Sequence, residues 1–390
     1  MAHYRKRGKK GAEKWTYIID LGIDPLTKKR RQISKGGFDK KSDARDAALK
    51  IEHQIANGLY TNESNISFQM FAQDWIKSYA LSAKVSSVRA RNKEMNHFIA
   101  EWGKYPLKQI NKKMYQEKLL ELSTKYSPNY LSGIHACGRM IFRHAVNLGY
   151  ISQNPTEHAQ LPKRQKKVEE IESQEEVFKF LEKEELAHFL RLAAKEGLEM
   201  DHLLFTTLSY TGLRIGELLA LKWSDFDREK GTLRVTKTLY NPNNNFRNYE
   251  LLTPKTTGSI RTLRIDEGLV KMLKRHEIHQ KEIKMKNRNM YRDNHFIFAR
   301  DDGYPQLRKV FEVRLKRLLK KAGITKNITP HSFRHTHTSL LIEAGVGIKE
   351  IQQRLGHTDI NTTMNIYAHM TADMEEKASQ QFSKLMKDLL

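Results

Sequence analysis

The sequence predicts a mainly α, multidomain chain with small β elements, on three observations. Apolar and aromatic residues recur at three-to-four spacing through most of the 390 residues. Short β-branched and aromatic runs occur in the first sixty residues and in one insert of the C-terminal part. Between them an abrupt change from basic to acidic residues marks a linker. The expected organisation is 1–60, 62–162, a linker at 163–178, and 179–390.

Residues 1–60 read as a three-stranded sheet with one helix. Trp15-Thr16-Tyr17-Ile18-Ile19 and Arg30-Arg31-Gln32-Ile33-Ser34 are β-rich runs, with Asp24-Pro25 as turn chemistry between them. Asp39 or Ser42 opens a helix through Ala44, Ala47, Ala48, Ile51 and Ile55, stopped by Asn57-Gly58. Such a unit holds little core, but it can lay a strand face into a groove.

Residues 62–162 read as helical. Ser67 is an N-cap ahead of Phe68, Phe71, Trp75 and Tyr79 at helical spacing. Further helices are expected at about 86–101, 111–122 and 128–148, broken at Gly103, Pro106 and Ser127-Pro128. The aromatic stripes are read as core. Lys84, Arg89, Arg91 and Lys93 are expected to face outward. Asn154-Pro155 and Leu161-Pro162 close the block, and Lys163-Arg164-Gln165-Lys166-Lys167 then gives way to Glu169, Glu170, Glu172, Glu175 and Glu176.

From residue 179 the chain is mixed but mostly helical. Thr232–Thr236 reads as a strand. Tyr249–Thr253 and Ile260–Ile265 read as a hairpin around Thr257-Gly258-Ser259, and Asn241–Asn245 as a polar loop.

Charge narrows the function. Lys and Arg number 69 against 45 Asp and Glu, a net charge of +24. The excess is densest in the first 165 residues, where 30 basic residues meet 14 acidic ones. One cysteine, Cys137, excludes an intramolecular disulfide framework and a cysteine-based zinc module. No apolar run reaches the ~18–20 residues of a membrane span. A soluble cytoplasmic protein with a polyanionic partner is expected, nucleic acid first among the choices.

Three segments carry chemistry. In Thr211-Gly212-Leu213-Arg214-Ile215-Gly216-Glu217, a glycine turn starts an apolar helix. Glu217 shares a face with Arg214 and could hold its guanidinium, or the two could form an ordinary surface pair. In Thr329-Pro330-His331-Ser332-Phe333-Arg334-His335, Thr329 as N-cap and Pro330 after it set a helix start. His331 and Arg334 then share a face at an anion-attracting helix N-terminus. His331 and His335 have the spacing of a zinc pair, but no glutamate, cysteine or nearby carboxylate completes a site. The third segment is Arg354-Leu355-Gly356-His357, followed by a polar helix bearing Tyr367. Arginines, histidines and a tyrosine without a carboxylate cluster cannot build a two-metal nuclease site. They suit metal-free attack on a phosphodiester: guanidiniums clamp oxygens, imidazoles move protons, and a phenol attacks.

In order and separation, segments 211–221 and 329–369 resemble the paired motif boxes of the tyrosine recombinase (phage-type integrase) family. Residues 1–60 look like the small arm-site-binding domain of integrases from phages and conjugative transposons, and 62–162 like a helical core-binding domain. The resemblance implies that Arg214 and Arg334 clamp the scissile phosphate. It makes His331 the proton-handling histidine, His357 a second one orienting the phosphate, and Tyr367 the nucleophile. It also implies a lysine general acid for the leaving 5′-oxygen. Lys255 fits by position beside the hairpin turn, with Lys237 as competitor. No cofactor and no metal are implied.

The implied partners are double-stranded DNA at core and arm attachment sites, and a homo-tetramer linked through 371–390. Accessory DNA-bending or excision factors complete the implied set. The implied reaction is integration and excision of a mobile element through a 3′-phosphotyrosine. A type IB topoisomerase and a non-catalytic DNA-binding regulator are the alternatives.

Overall fold

A computed structural model describes residues 2–8, 13–23, 30–56, 66–162, 180–254, 257–356, 360 and 364. The chain divides into two compact units, Met1–Lys167 and Val168–Leu390, and each is taken by itself. The linker, Asp24-Pro25, Asn57-Gly58 and the 371–390 segment lie outside the described residues.

The first unit begins with the expected sheet, β1 (His3–Arg7), β2 (Lys14–Ile23) and β3 (Arg30–Phe38), antiparallel in that order. Strand alternation sends Tyr4, Tyr17, Ile19 and Ile33 to one side, where Ala47, Ala48, Ile51 and Ile55 of α1 (Lys41–Ala56) close a small core. The other side carries His3 and Arg5 of β1 opposite Ile18 and Thr16 of β2. On β3, Ser34 lies opposite Ile18 and Gln32 opposite Asp20.

Among the described residues four α-helices follow: α2 (Phe68–Ala80), α3 (Val85–Trp102), α4 (Lys112–Lys125) and α5 (Pro128–Asn147). Their starts are set locally. Ser67 Oγ accepts from the Met70 N–H at 3.3 Å, and Asn111 Oδ1 from the Met114 N–H at 3.0 Å. Ser127 caps α5, with Pro128 in its first turn where a missing N–H costs nothing. The aromatic stripes form the core, as Phe68, Phe98, Tyr115 and Phe142 are fully buried. Phe98 and Trp102 stack at 5.5 Å.

One residue expected to face outward is corrected. Arg91 turns inward, donating to Glu94 and, at 3.0 Å, to the Gly133 carbonyl on α5. Its guanidinium satisfies a buried carboxylate between two packed helices. Lys93 is exposed as expected, whereas Lys84 and Arg89 are half-buried.

The second unit is built from α6 (Lys183–Glu196), α7 (Asp201–Thr211), the short α8 (Ile215–Leu219), α9 (Glu267–Lys286), α10 (Arg308–Lys321), α11 (Ser332–Glu343) and α12 (Ile348–Leu355). Its core joins Phe189 of α6, Phe205 of α7, Phe311 of α10 and Phe333 of α11, with Phe205 and Phe333 stacked at 5.5 Å.

The β insert differs from expectation. Strand β8 (Arg261–Arg264) pairs with β5 (Thr232–Val235), which also pairs with β4 (Phe226–Asp227). Strand β7 (Glu250–Leu252) pairs instead with β6 (Thr238–Tyr240). Segments 249–253 and 260–265 therefore form no hairpin with each other. The chain runs out through β5 and β6, turns at the Asn-rich loop, and returns through β7 and β8. This nesting sets Leu239 against Leu251 and Leu233 against Leu263, the last two buried. Thr257–Ser259 is a single 3-10 turn on the return leg.

The described residues are mainly α with small β elements. No described helix is long and apolar enough to cross a membrane.

Gly138 on α5 tests the aromatic core. An added Cβ would collide with the Tyr115 hydroxyl and approach Phe98 to 3.1 Å. Ala normally gains over Gly in a helix, but both neighbours are fully buried and cannot yield. Gly138→Ala is expected to lose about 1–3 kcal/mol in urea unfolding. A gain in stability would mean that this core is looser than described.

Candidate active site

The predicted site residues that are described are Arg214, His331 and Arg334; Lys255, His357 and Tyr367 lie outside the described residues. Arg214 follows a turn at Gly212, which ends α7 at φ +62°. A Cβ there would lie 2.6 Å from Leu355 and 2.7 Å from His337, so both conformation and space demand glycine. Leu213, Ile215, Leu218 and Leu219 then anchor α8 in the core, leaving Arg214 at its N-cap.

Glu217 does hold that arginine, and the pair is no ordinary surface bridge. Arg214 Nη1 donates to Glu217 Oε1 at 2.7 Å, and the Arg214 backbone N–H to Oε2 at 3.2 Å. The carboxylate is only 3% exposed and also accepts from Arg261 Nη2 at 2.9 Å. Burial alone would raise its pKa, but the Arg261 and Arg214 guanidiniums outweigh that and hold it below the ordinary 4.5. Glu217 therefore stays ionised.

Arg334 approaches from α11. Phe333 locks the rotation of that helix through Phe205 and Phe189. The Arg334 side chain, 1% exposed, donates from Nη1 to the Gly212 carbonyl at 2.9 Å and from Nη2 to the Leu355 carbonyl at 2.7 Å. It thus ties the Arg214 turn to the end of α12. Burial and then the nearby Arg214 charge lower its pKa to about 9, which leaves it charged at neutral pH.

His331 immediately precedes α11. The regular helix begins at Ser332, two residues later than a Thr329 cap implies. The first turn is tighter: the Ser332 N–H donates to the Thr329 carbonyl at 2.9 Å, and Ser332 Oγ accepts from the Thr329 N–H at 3.1 Å. His331 keeps an edge in solvent, while protein packed on its other side partly desolvates the ring. That desolvation, then the charges of His335, Arg334 and Arg214, lower its pKa to about 4. The ring is therefore neutral at physiological pH. The His331 and His335 rings meet edge to face at 4.9 Å. No group of three or more metal-ligating side chains occurs among the described residues.

The structure thus brings Arg214, His331 and Arg334 into one cationic recess, with Glu217 as a fixed counter-charge. Preorganised guanidiniums beside a neutral imidazole can bind a phosphodiester, stabilise charge on its oxygens and move one proton.

Residues 179–374 match the family model described as phage integrase family, and residues 3–55 the one described as arm DNA-binding domain. The prophage ps2 probable integrase of Lactococcus lactis subsp. lactis (strain IL1403) is 31% identical over 362 residues, covering 90% of this chain and 92% of its own. The chain belongs to the phage integrase family. It is a tyrosine-type site-specific recombinase, an enzyme of DNA cleavage and strand transfer.

The ICEBs1 integrase of Bacillus subtilis (strain 168) is 26% identical over 97% of this recombinase and 99% of its own length. The fold is likewise that of solved integrases. The Tn1549 transposon integrase in complex with transposon right-end DNA has a TM-score of 0.63 at 23% identity, over 82% of this chain and 100% of its own. A lambda integrase dimer bound to a COC′ core site has a TM-score of 0.59 at 16% identity, over 93% of both chains.

The recombinase holds further residues at this recess that the motifs did not reveal. Arg261, besides Glu217, donates to the Arg354 carbonyl at 2.8 Å and the Ser259 carbonyl at 3.1 Å. Its signal was the alternation Arg261, Leu263, Ile265, which put a charge on the buried face of a strand. His337 is buried between the Ser209 carbonyl, 2.8 Å from Nδ1, and Arg354 Nε, 3.1 Å from Nε2. An arginine can only donate, so Nε2 accepts and Nδ1 carries the proton. Lys237 is held by both Asp225 oxygens, at 2.7 and 2.5 Å.

Burial, then the Arg354 charge, lowers the His337 pKa from 6.5 to about 4. In that window the unfolded chain binds a proton that the folded one refuses, so stability falls as pH drops from 6.5 toward 4. The slope contributed is about 1.4 kcal/mol per pH unit. Urea titrations across this range should show a shallower slope for His337→Gln than for the wild type. Equal slopes would place the pH dependence elsewhere.

Proposed function

We propose that this recombinase cleaves and rejoins DNA through a 3′-phosphotyrosine and thereby integrates and excises a mobile element. Arg214 and Arg334 clamp the non-bridging oxygens of the scissile phosphate. Tyr367 loses its proton to His331 and bonds to phosphorus as the bond to the 5′-oxygen breaks. Lys255 donates a proton to that leaving oxygen, and His357 orients the phosphate. A 5′-hydroxyl from the partner duplex then reverses the step. Bond energy is kept in the phosphotyrosine, so neither ATP nor a metal ion enters the balance. A phenol with an unperturbed pKa near ~10 is a weak nucleophile at neutral pH. The cationic recess must therefore stabilise the developing charge.

The observation that carries this reading is the meeting of Arg214, from the start of α8, with Arg334 and a neutral His331, from the start of α11, 120 residues on. The bidentate pairing of Lys237 with Asp225 favours Lys255 as the general acid, since a tethered ammonium is a poor donor to a leaving group.

Around this centre, residues 1–60 would grip arm sites and 62–162 the core site, with 163–178 as linker and 179–390 as catalytic domain. A homo-tetramer joined through 371–390 belongs to the same reading; a lambda integrase of the same fold (TM-score 0.56, 16% identity) was solved as a tetramer bound to a Holliday junction. Accessory DNA-bending or excision factors and a cytoplasmic, DNA-associated location in a bacterial host complete the reading.

Two measurements test it. With a nicked attachment-site duplex, Tyr367→Phe should retain binding and form no covalent protein–DNA adduct on a denaturing gel. An adduct that persists would move the nucleophile to another residue. Arg214→Ala should slow single-turnover cleavage by about 100-fold or more, the scale of one lost oxyanion donor, with site affinity nearly unchanged. An equal loss of binding and cleavage would make the residue positional. Arg214 is the cleaner choice, because Arg334 also braces two backbone carbonyls.

A further inference from the structure

Among the described residues, α1 closes one face of the N-terminal sheet, and the other, open face carries exposed His3, Arg5, Gln32 and Ser34. On the open face the cations are not equivalent. The Arg5 side chain projects from β1, with no carboxylate opposite it in the strand register. Arg30, at the start of β3, is instead fixed to Asp20 of β2. Its Nε donates to Asp20 Oδ2 at 2.6 Å, and its Nη2 pairs with the same oxygen. Asp20 in turn accepts from the Gly22 N–H at 3.0 Å, across an irregularity in the β2–β3 register. Asp20 is held ionised, first by the hydrogen bond from Arg30 and then by the Gly22 N–H, with a smaller contribution from Gln32.

This arrangement is ill suited to gripping phosphate. The carboxylate cancels most of the guanidinium's pull on an anion and itself repels one. It is well suited to reading a base. With the Nε side held by Asp20, the rigid fork keeps its Nη1–Nη2 edge turned away from the carboxylate. Those parallel donors match the O6 and N7 acceptors of guanine in the major groove. The Arg30 side chain is 71% exposed, so a duplex laid on this face can reach it.

We propose that Asp20 and Arg30 form a specificity-determining pair in which Arg30, aimed by Asp20, reads one guanine in the DNA bound by the N-terminal sheet. The inference rests on the reading of residues 1–60 as a DNA-gripping domain. Arg5 and its neighbours supply affinity through phosphates, while the Asp20–Arg30 pair supplies sequence.

The test is selection of duplexes from a random library by the full-length protein, its Arg30→Ala, Asp20→Asn and Arg5→Ala variants, followed by affinity measurements on the selected sequences. The wild type should select a motif containing an invariant guanine. Arg30→Ala should relax that one position by about 10-fold or more and leave the other positions intact. Asp20→Asn, which keeps the shape and removes the negative charge, should bind DNA more tightly overall while discriminating less at the same position. A pair that merely holds the hairpin together would lose every position of the motif read by the N-terminal sheet in both variants, while core-site binding remained. That result, or an unchanged guanine preference, overturns the inference. Arg5→Ala separates the underlying reading: if it leaves affinity and its salt dependence unchanged, the open face does not grip DNA at all.

Discussion

The catalytic unit depends on one buried carboxylate. Glu217 sits among guanidiniums that would otherwise repel one another, and it is held by two of them, Arg214 and Arg261. A lone buried carboxylate would be expensive, and so would unpartnered buried arginines. Together they give a net positive recess whose geometry the protein's own ion pairs fix. Through Arg261 the same carboxylate is linked to the end of α12 and to the 3-10 turn at Thr257–Ser259. Arg334 closes the frame from the other side, bridging the Gly212 and Leu355 carbonyls.

That frame explains why so many backbone carbonyls carry the site. Arg261, Arg334 and Arg354 spend much of their hydrogen-bonding capacity on main-chain oxygens at element ends. Each such contact satisfies a carbonyl that a helix or turn leaves unpaired. It also fixes the spacing between elements distant in sequence. The cations thus act twice, as structural clasps and as the source of the field in the recess. Gly212 is the complement of this design. It carries no side chain where α7, α11 and α12 meet, so the Arg334 guanidinium reaches its carbonyl.

Much was legible in the sequence because it rests on local rules. Ser67, Asn111 and Ser127 mark helix starts through contacts within three residues. The aromatic stripe from Phe68 to Tyr79 reads as core because helical period and burial coincide. Arg214, His331 and Arg334 are recognisable because their motifs are short and contiguous. The strand pairing was less legible. Two apolar runs around a glycine turn look like a hairpin, but each found a better apolar partner on the outgoing leg, Leu251 with Leu239 and Leu263 with Leu233. Arg91 was misread for a related reason: helical spacing does not reveal which polar position faces a buried glutamate on its own helix.

Sequence alone determined the class of chemistry, since residue types and their order along the chain limit which reactions a site can perform. It likewise determined the mainly helical blocks and the two β-bearing segments, because periodicity and caps act over a few residues. Only the tertiary structure decided which charges are clasps and which are free to act. Glu217 proved to be buried rather than superficial, Lys237 to be tied to Asp225, and Arg261 and His337 to belong to the site's support. Those assignments depend on burial and on partners from 12 to 128 residues away, and contacts at such range leave no periodic trace in the chain.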